Sequence, residues 1–273
     1  MIDIINESIM EVLIEGGKLF MIGIYFSGTG NSRYILDLFL KKMGKDYKIF
    51  SIEDIDVETK LQEANDIVIA YPIYYSSMPK IMDDFLEKNI ELFRNKKVFI
   101  ITTMGLFSGD GCGLAQRKLR KVNANIIGGI QVKMPDNICD SKLLKKDDDG
   151  IKDIICLAEK HVEEAVGKIK SGQKVREGLS VAAQFAGCFA QRLYFGHKVK
   201  KYSSNIKIDR ELCVKCGKCI KVCPMKNLEM KNELCSGDKC TMCYRCINIC
   251  PNKALTLLGR KVGHQYLIDK YII

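Results

Sequence analysis

The chain has 273 residues, with 43 Lys and Arg against 33 Asp and Glu for a formal charge of +10. That length is enough for two domains with real cores. No apolar run approaches a membrane span, which argues against an integral membrane protein, and the basic charge raises nucleic-acid binding without any nucleic-acid motif to accompany it.

Residues 1–20 read as a short amphipathic helical extension, with Ile5, Ile9, Val12 and Leu13 as its apolar stripe and Gly16–Gly17 as its stop. Asp3, Glu7, Glu11 and Glu15 give this opening the wrong charge for an export leader, so a cytoplasmic, reducing setting is expected. From Ile22 short apolar runs alternate with helical segments. Strands are predicted at Ile22–Phe26, Lys48–Ile52, Ile67–Tyr71, Val98–Thr102 and Ile126–Val132. Helices are predicted near Ser32–Met43, Thr59–Ala64, Lys80–Phe93 and Leu114–Val122, and a last one has Ile151, Ile155, Ala158, Val162 and Ile169 on one face. Five strands alternating with five helices predict an α/β domain over residues 21–170, a doubly wound five-stranded parallel sheet.

The first strand is followed by Ser27-Gly28-Thr29-Gly30-Asn31-Ser32. Small residues let this turn curl so that backbone N–H groups point inward as an anion nest, and the next helix adds its positive end. Hydroxyls of Ser27, Thr29 and Ser32 can donate to phosphate oxygens. The alternative is a tight turn with Ser32 as a helix cap. The run is neither a G-x-G-x-x-G fingerprint nor a P-loop, which needs Gly-Lys-Ser/Thr. At every position of S-x-T-G-x-S it resembles the phosphate loop of flavodoxins, and the similarity extends over residues 21–170. That resemblance implies FMN at the switch point beyond the first and third strands. It also implies that the loops after the third and fourth strands, Tyr71–Pro79 and Thr102–Asp110, hold the isoalloxazine ring. Pro72, Tyr74 and Tyr75 then fall on one side, with either tyrosine as the stacking ring, and the backbone amides of Thr103, Gly105 and Gly109 at the ring edge. The structural alternative is that the aromatic side chains merely cover a sheet edge. The chain has no tryptophan.

Residues 171–204 read as a basic helical connector. Lys168–Lys207 holds nine Lys or Arg and one Glu, which read more readily as a solvated face than as a dock for an acidic partner.

Eight of the 13 cysteines form two copies of C-x-x-C-x-x-C-x-x-x-C-P: Cys213, Cys216, Cys219, Cys223, Pro224, and Cys240, Cys243, Cys246, Cys250, Pro251. Three thiolates, each separated from the next by two residues, wrap one corner of a 4Fe–4S cubane, and the fourth, before proline, serves the neighbouring cluster. One cluster is therefore assigned to Cys213, Cys216, Cys219 and Cys250, the other to Cys240, Cys243, Cys246 and Cys223. Structural zinc prefers two pairs and often histidine, and disulfides need an oxidising compartment. Residues 205–259 resemble the bacterial two-cluster ferredoxins, which implies a small α+β domain stapled by two 4Fe–4S clusters; a tail, 260–273, follows. Of the other cysteines, Cys112, Cys139, Cys156 and Cys188 read as buried small hydrophobes, and Cys235 as a spare thiol. Each cubane with four thiolates removes about two positive charges and a flavin phosphate about two more, leaving about +4.

The two halves together resemble a family of flavodoxin–ferredoxin fusions found in anaerobic bacteria. The resemblance implies an electron-transfer protein that couples one- and two-electron steps and exchanges electrons with redox partner proteins, with no nucleic acid and no membrane span. The alternatives are a flavin-dependent reductase of a small acceptor and a ferredoxin tethered to a flavin-free scaffold. No side chain stands out as a substrate-side acid or base: His161 reads as solvated, His197 lies in the connector and His264 in the tail, which favours a carrier. Separate cores are expected for the two domains.

Overall fold

The computed structural model describes residues 21–44, 46–106, 110–141, 146–180 and 206–272. The expected helix over 1–20, the central part of the connector, and the positions of Gly109, Cys188 and His197 lie outside them.

Near-continuous apolar runs form the buried strands of a five-stranded sheet covered on both faces, with the edge strand Tyr47–Ser51 only partly buried. The five are β1 Met21–Tyr25, β2 Tyr47–Ser51, β3 Asp66–Pro72, β4 Lys97–Met104 and β5 Asn125–Lys133. All pair in parallel in the order β2-β1-β3-β4-β5. Strand order reverses between β1 and β3, which makes the switch point where α/β sheets bind ligands. Five helices connect and flank the strands: α1 Asn31–Met43, α2 Val57–Glu63, α3 Lys80–Lys88, α4 Gly111–Leu119 and α5 Asp148–Lys170. The expected single helix Lys80–Phe93 is divided, because Asn89 caps α3 and a short 3-10 turn, Ile90–Phe93, follows. The long helix α5 is capped by Asp147, whose carboxylate accepts from the Gly150 amide at 3.0 Å.

The connector begins as an addition to the sheet. The Gly129 amide donates to Val175 O, and the Glu177 amide donates to Gly129 O, extending the β5 edge. His161, expected to be solvated, lies within 2.8 Å of Glu177 on this added segment. Of the cysteines read as buried hydrophobes, Cys112 and Cys139 are buried but Cys156 is exposed, because it falls on the outer side of α5.

The cysteine-rich segment folds as a doubled unit. Its elements are β6 Lys207–Ile208, α6 Lys218–Lys221, β7 Leu228–Met230, β8 Leu234–Ser236, α7 Arg245–Ile249 and β9 Leu255–Thr256. The first-half strands pair with second-half strands, β6 with β9 and β7 with β8, both antiparallel. Backbone detail repeats too. Lys215 matches Met242, Gly217 matches Tyr244 and Lys226 matches Lys253, all with positive φ.

The two parts do not keep separate cores. Cys243 packs in the apolar cluster of β1, β3 and β4, while Tyr75, Ile138 and Cys139 pack with the cysteine-rich core. Tail residues Tyr266 and Ile268 are buried against α1 and α5. The reason is geometric. The cysteine-rich unit sits on the carboxyl ends of the strands, where the β1 and β5 exit loops have polar groups that need partners.

Candidate functional site

A cavity of about 330 Å³ lies at the carboxyl ends of β1, β3, β4 and β5. That is a volume suited to a small-molecule ligand. From the first loop, Ser27, Gly28, Thr29, Asn31 and Ser32 line it; from the second, Pro72, Tyr74 and Tyr75; from the third, Thr103 and Gly105. Sequence-predicted residues from three loops therefore meet at one place. Gly30 is not part of the lining. It caps α1 with φ 95°, and a Cβ there would stand 2.2 Å from Ile268 Cγ2, so both backbone and tail demand glycine.

The first loop is only partly free to bind an anion. Ser32 Oγ lies 2.8 Å from Thr103 Oγ1, so these two hydroxyls engage each other. Asn31 ties the loop to Pro135 O at 2.9 Å and accepts from Tyr266 Oη at 2.6 Å. Ser27 Oγ is buried with no hydrogen-bond partner among the described residues, a condition that costs free energy unless a ligand relieves it. Thr29 is buried as well. This loop thus presents an orphaned hydroxyl, a buried threonine and a helix N-terminus to the cavity, a donor set that fits a phosphate.

The second loop carries backbone strain. Tyr74 and Ser77 exchange both backbone hydrogen bonds across a two-residue turn, and Tyr75 and Ser76 sit at φ 48° and 63°. Non-glycine residues at two successive left-handed positions are unusual, and such strain collects at functional sites. Between the third loop and the β5 exit, a Cβ on Gly105 would meet Asp136 Oδ2 at 2.3 Å.

Sequence reasoning missed the β5 exit loop. Pro135, Asp136, Asn137 and Ile138 all line the cavity. Burial pushes the Asp136 carboxyl above the usual carboxylate range, while its Oδ1 accepts from the Ile138 amide. Asn137 Nδ2 donates to Cys243 O at 3.0 Å and reaches Tyr74 Oη at 3.3 Å. No local signal marks Asn137, because its partners lie 63 and 106 residues away. Arg245 was missed too. It donates to Ser27 O at 2.8 Å, pairs with Glu53 at 2.7 Å and lies over the Phe26 ring, tying the cysteine-rich unit to the first loop.

The eight cysteines divide between two further cavities. One is lined by Cys213, Cys216, Cys219 and Cys250, the other by Cys223, Cys240, Cys243 and Cys246. Each therefore takes three cysteines from one run and the last from the other. Backbone amides of Asn227, Met242 and Ala254 donate to the sulfurs of Cys223, Cys240 and Cys250, each at 3.3 Å. Such N–H···S contacts stabilise thiolate and tune a bound cluster. Burial pushes the Cys243 thiol up to about 12, so deprotonation there needs a compensating cation. Among the described residues no three His, Cys, Asp or Glu converge as a single metal ion requires; a cubane is a larger body held at separate corners. Cys235 lines neither cavity, and its thiol donates to Glu233 O.

Met242 lines both the large cavity and the cavity of Cys223, Cys240, Cys243 and Cys246. The two sites share this one buried side chain as a wall.

A family model described as a flavodoxin domain matches residues 22–124, and one described as a 4Fe-4S dicluster domain matches residues 205–251. The chain thus joins a flavodoxin domain to a 4Fe–4S dicluster domain, the composition of a flavodoxin–ferredoxin fusion and of an electron-transfer protein. Similar solved structures include a flavodoxin from the domain Archaea, 17% identical, covering 55% of this chain and 99% of that one, with a TM-score of 0.39. They also include the two-electron reduced flavodoxin of Megasphaera elsdenii, 23% identical over 54% of this chain and 98% of that one, TM-score 0.35. The general stress protein 14 of Treponema denticola in complex with FMN is 12% identical over 55% and 94%, TM-score 0.36. No curated protein matches the chain. Among the described residues no helix is long and apolar enough to cross a membrane.

Proposed function

We propose that the chain is an electron carrier that holds FMN in the large cavity and one 4Fe–4S cluster in each cysteine cavity. The observation that carries this reading is Met242, whose side chain separates the large cavity from the inner cysteine site. Ser27, Thr29 and the α1 N-terminus would hold the phosphate, with Arg245 bracing the loop through the Ser27 carbonyl. Tyr74 and Tyr75 on one side and Thr103, Gly105 and Asp136 on the other would hold the ring. Bound there, the clusters supply one-electron steps and the flavin supplies one- or two-electron steps.

The residues of the chain itself do three things. Asn137 joins the flavin-side loop to the Cys243 carbonyl and so fixes the distance between the two sites. Asp136 can hold a proton at the cavity wall, because burial favours its neutral form. The amides on Cys223, Cys240 and Cys250 set the electron density on the sulfurs. A protein of this composition would exchange electrons with redox partner proteins in a reducing compartment.

Anaerobic purification followed by quantification of iron, acid-labile sulfide and flavin tests this reading, with about eight iron, about eight sulfide and one FMN expected per chain. Reductive titration should then show iron–sulfur bleaching and flavin reduction in one sample. Material with about four iron or fewer, or colourless once its iron is stripped, would overturn it.

A further inference from the structure

The two cysteine cavities differ in what covers them. Each site has two buried cysteines, Cys243 and Cys246 at the inner and Cys219 and Cys250 at the outer, but only the inner wall adjoins the flavodoxin domain. At the outer site Cys216 is exposed and Cys213 is partly so. Its rim carries Leu212, Val214 and Met230, exposed by 44%, 60% and 37%. Six large apolar side chains are exposed among the described residues, and half of them lie at this rim. Such a concentration marks an interaction surface.

Charge indicates the kind of partner. Between Cys213 and Lys226 the chain has Lys215, Lys218, Lys221 and Lys226 and no acidic residue. Among the described residues no ion pair involves these four, whereas the neighbouring Arg210 and Lys231 are neutralised by Glu233 and Glu229. Lys215 and Lys218 line the outer site itself and Lys221 ends the same short helix as Lys218, so three lysines face the roughly two negative charges of a ligated cubane. An apolar centre with an unneutralised basic rim is complementary to an acidic surface.

We propose that this face is the docking surface for an acidic one-electron redox protein, and that electrons are exchanged at the site of Cys213, Cys216, Cys219 and Cys250, with the inner site and the flavin cavity behind it. The inference rests on the cofactor reading above. In each exchange the partner loses one electron and the outer site gains one, or the reverse; no bond forms or breaks and no proton moves.

The test uses the anaerobic holoprotein and a small acidic ferredoxin, reduced beforehand, as the probe. Stopped-flow absorbance should show electron uptake that slows as salt rises. Lys218→Glu/Lys221→Glu should slow it at least tenfold and flatten the salt dependence, and Met230→Glu should slow it as well. Calorimetric binding of the two oxidised proteins should weaken in step. Iron and flavin contents and the rate with dithionite should stay as in the unvaried protein. Unchanged uptake and binding in these variants would overturn the proposal. So would slowing by Leu106→Glu at the flavin cavity instead, or a concentration-dependent dimer blocked by Met230→Glu, which would make a second copy the occupant. Failure of the cofactor reading would show separately, as missing iron or flavin in the unvaried protein.

Discussion

Tyr244 donates its phenolic hydrogen to Asp140 Oδ1 at 2.9 Å from a left-handed backbone position, φ 59°, that the first cysteine run fills with Gly217. The other oxygen of Asp140 accepts from the amides of Leu257 and Leu258 at 2.8 and 2.7 Å. One carboxylate of the β5 exit loop thus serves three donors of the cysteine-rich unit. The strain of a tyrosine at this position is offset by the buried bond it makes. Tyr244→Phe is expected to lower stability by about 1–2 kcal/mol, and Asp140→Ala by about 3 kcal/mol because buried amides lose their acceptor. Anaerobic guanidinium unfolding of the two variants checks the order.

Gly28 lies at a close approach of the two domains. A Cβ there would stand 2.3 Å from Cys243 O and 2.5 Å from Tyr74 Oη. Neither can yield easily, since one is backbone and the other is held by Asn137. Gly28→Ala should open the seam, with flavin affinity down more than tenfold and faster loss of iron to a chelator. Normal flavin and iron retention would show that the seam is not what positions the sites.

Ser27 Oγ gives a test with opposite signs. Removing an orphaned buried hydroxyl should leave the apoprotein as stable or slightly more so. The same Ser27→Ala change should weaken FMN about tenfold, roughly 1.4 kcal/mol. Riboflavin, lacking the phosphate, should bind both forms alike. Thr29→Val should likewise weaken FMN. Fluorescence titration of both ligands reads the difference.

The cysteine sites should respond unequally. Cys213→Ser removes a ligand from the outer cavity, which shares no lining residue with the large cavity. Iron should fall from about eight to about four per chain while flavin stays bound. Cys246→Ser lies in the inner cavity beside Met242, so flavin affinity should fall along with iron. Iron and flavin analysis of the two variants, side by side, decides it.

The His161–Glu177 contact predicts a pH window at the sheet edge. The bond to Glu177 raises the imidazole above its ordinary 6.5, so its contribution is complete below that value and lost as pH rises through the raised one. Burial works against the Glu177 carboxylate, but the imidazole and the Gln131 amide overrule it and hold it below its ordinary 4.5. Its contribution is present above that value and lost as pH falls. The contact is thus strongest between about 4.5 and 6.5, and solvent at this half-exposed pair keeps it weak. Protection of the Glu177 amide against hydrogen exchange should decline on the alkaline side of this window, and His161→Gln should abolish that dependence.

The parallel sheet was legible because strands buried on both faces must be nearly all apolar, and β1, β3 and β4 are. The first loop was legible because a phosphate cradle is a local device, built from adjacent small residues and a helix end. The His161 contact was not, because the connector folds back along β5 only in three dimensions.

By itself the sequence determined the elements, the phosphate loop and the grouping of eight cysteines, since each is written in spacings of a few residues. Only the tertiary structure decided which cysteine site adjoins the flavin cavity, that Met242 is the shared wall, and that Arg245 rests on the Ser27 carbonyl 218 residues away. The physical reason is that these relationships arise from docking one packed unit on another, where polar groups at strand ends find partners that no local periodicity encodes.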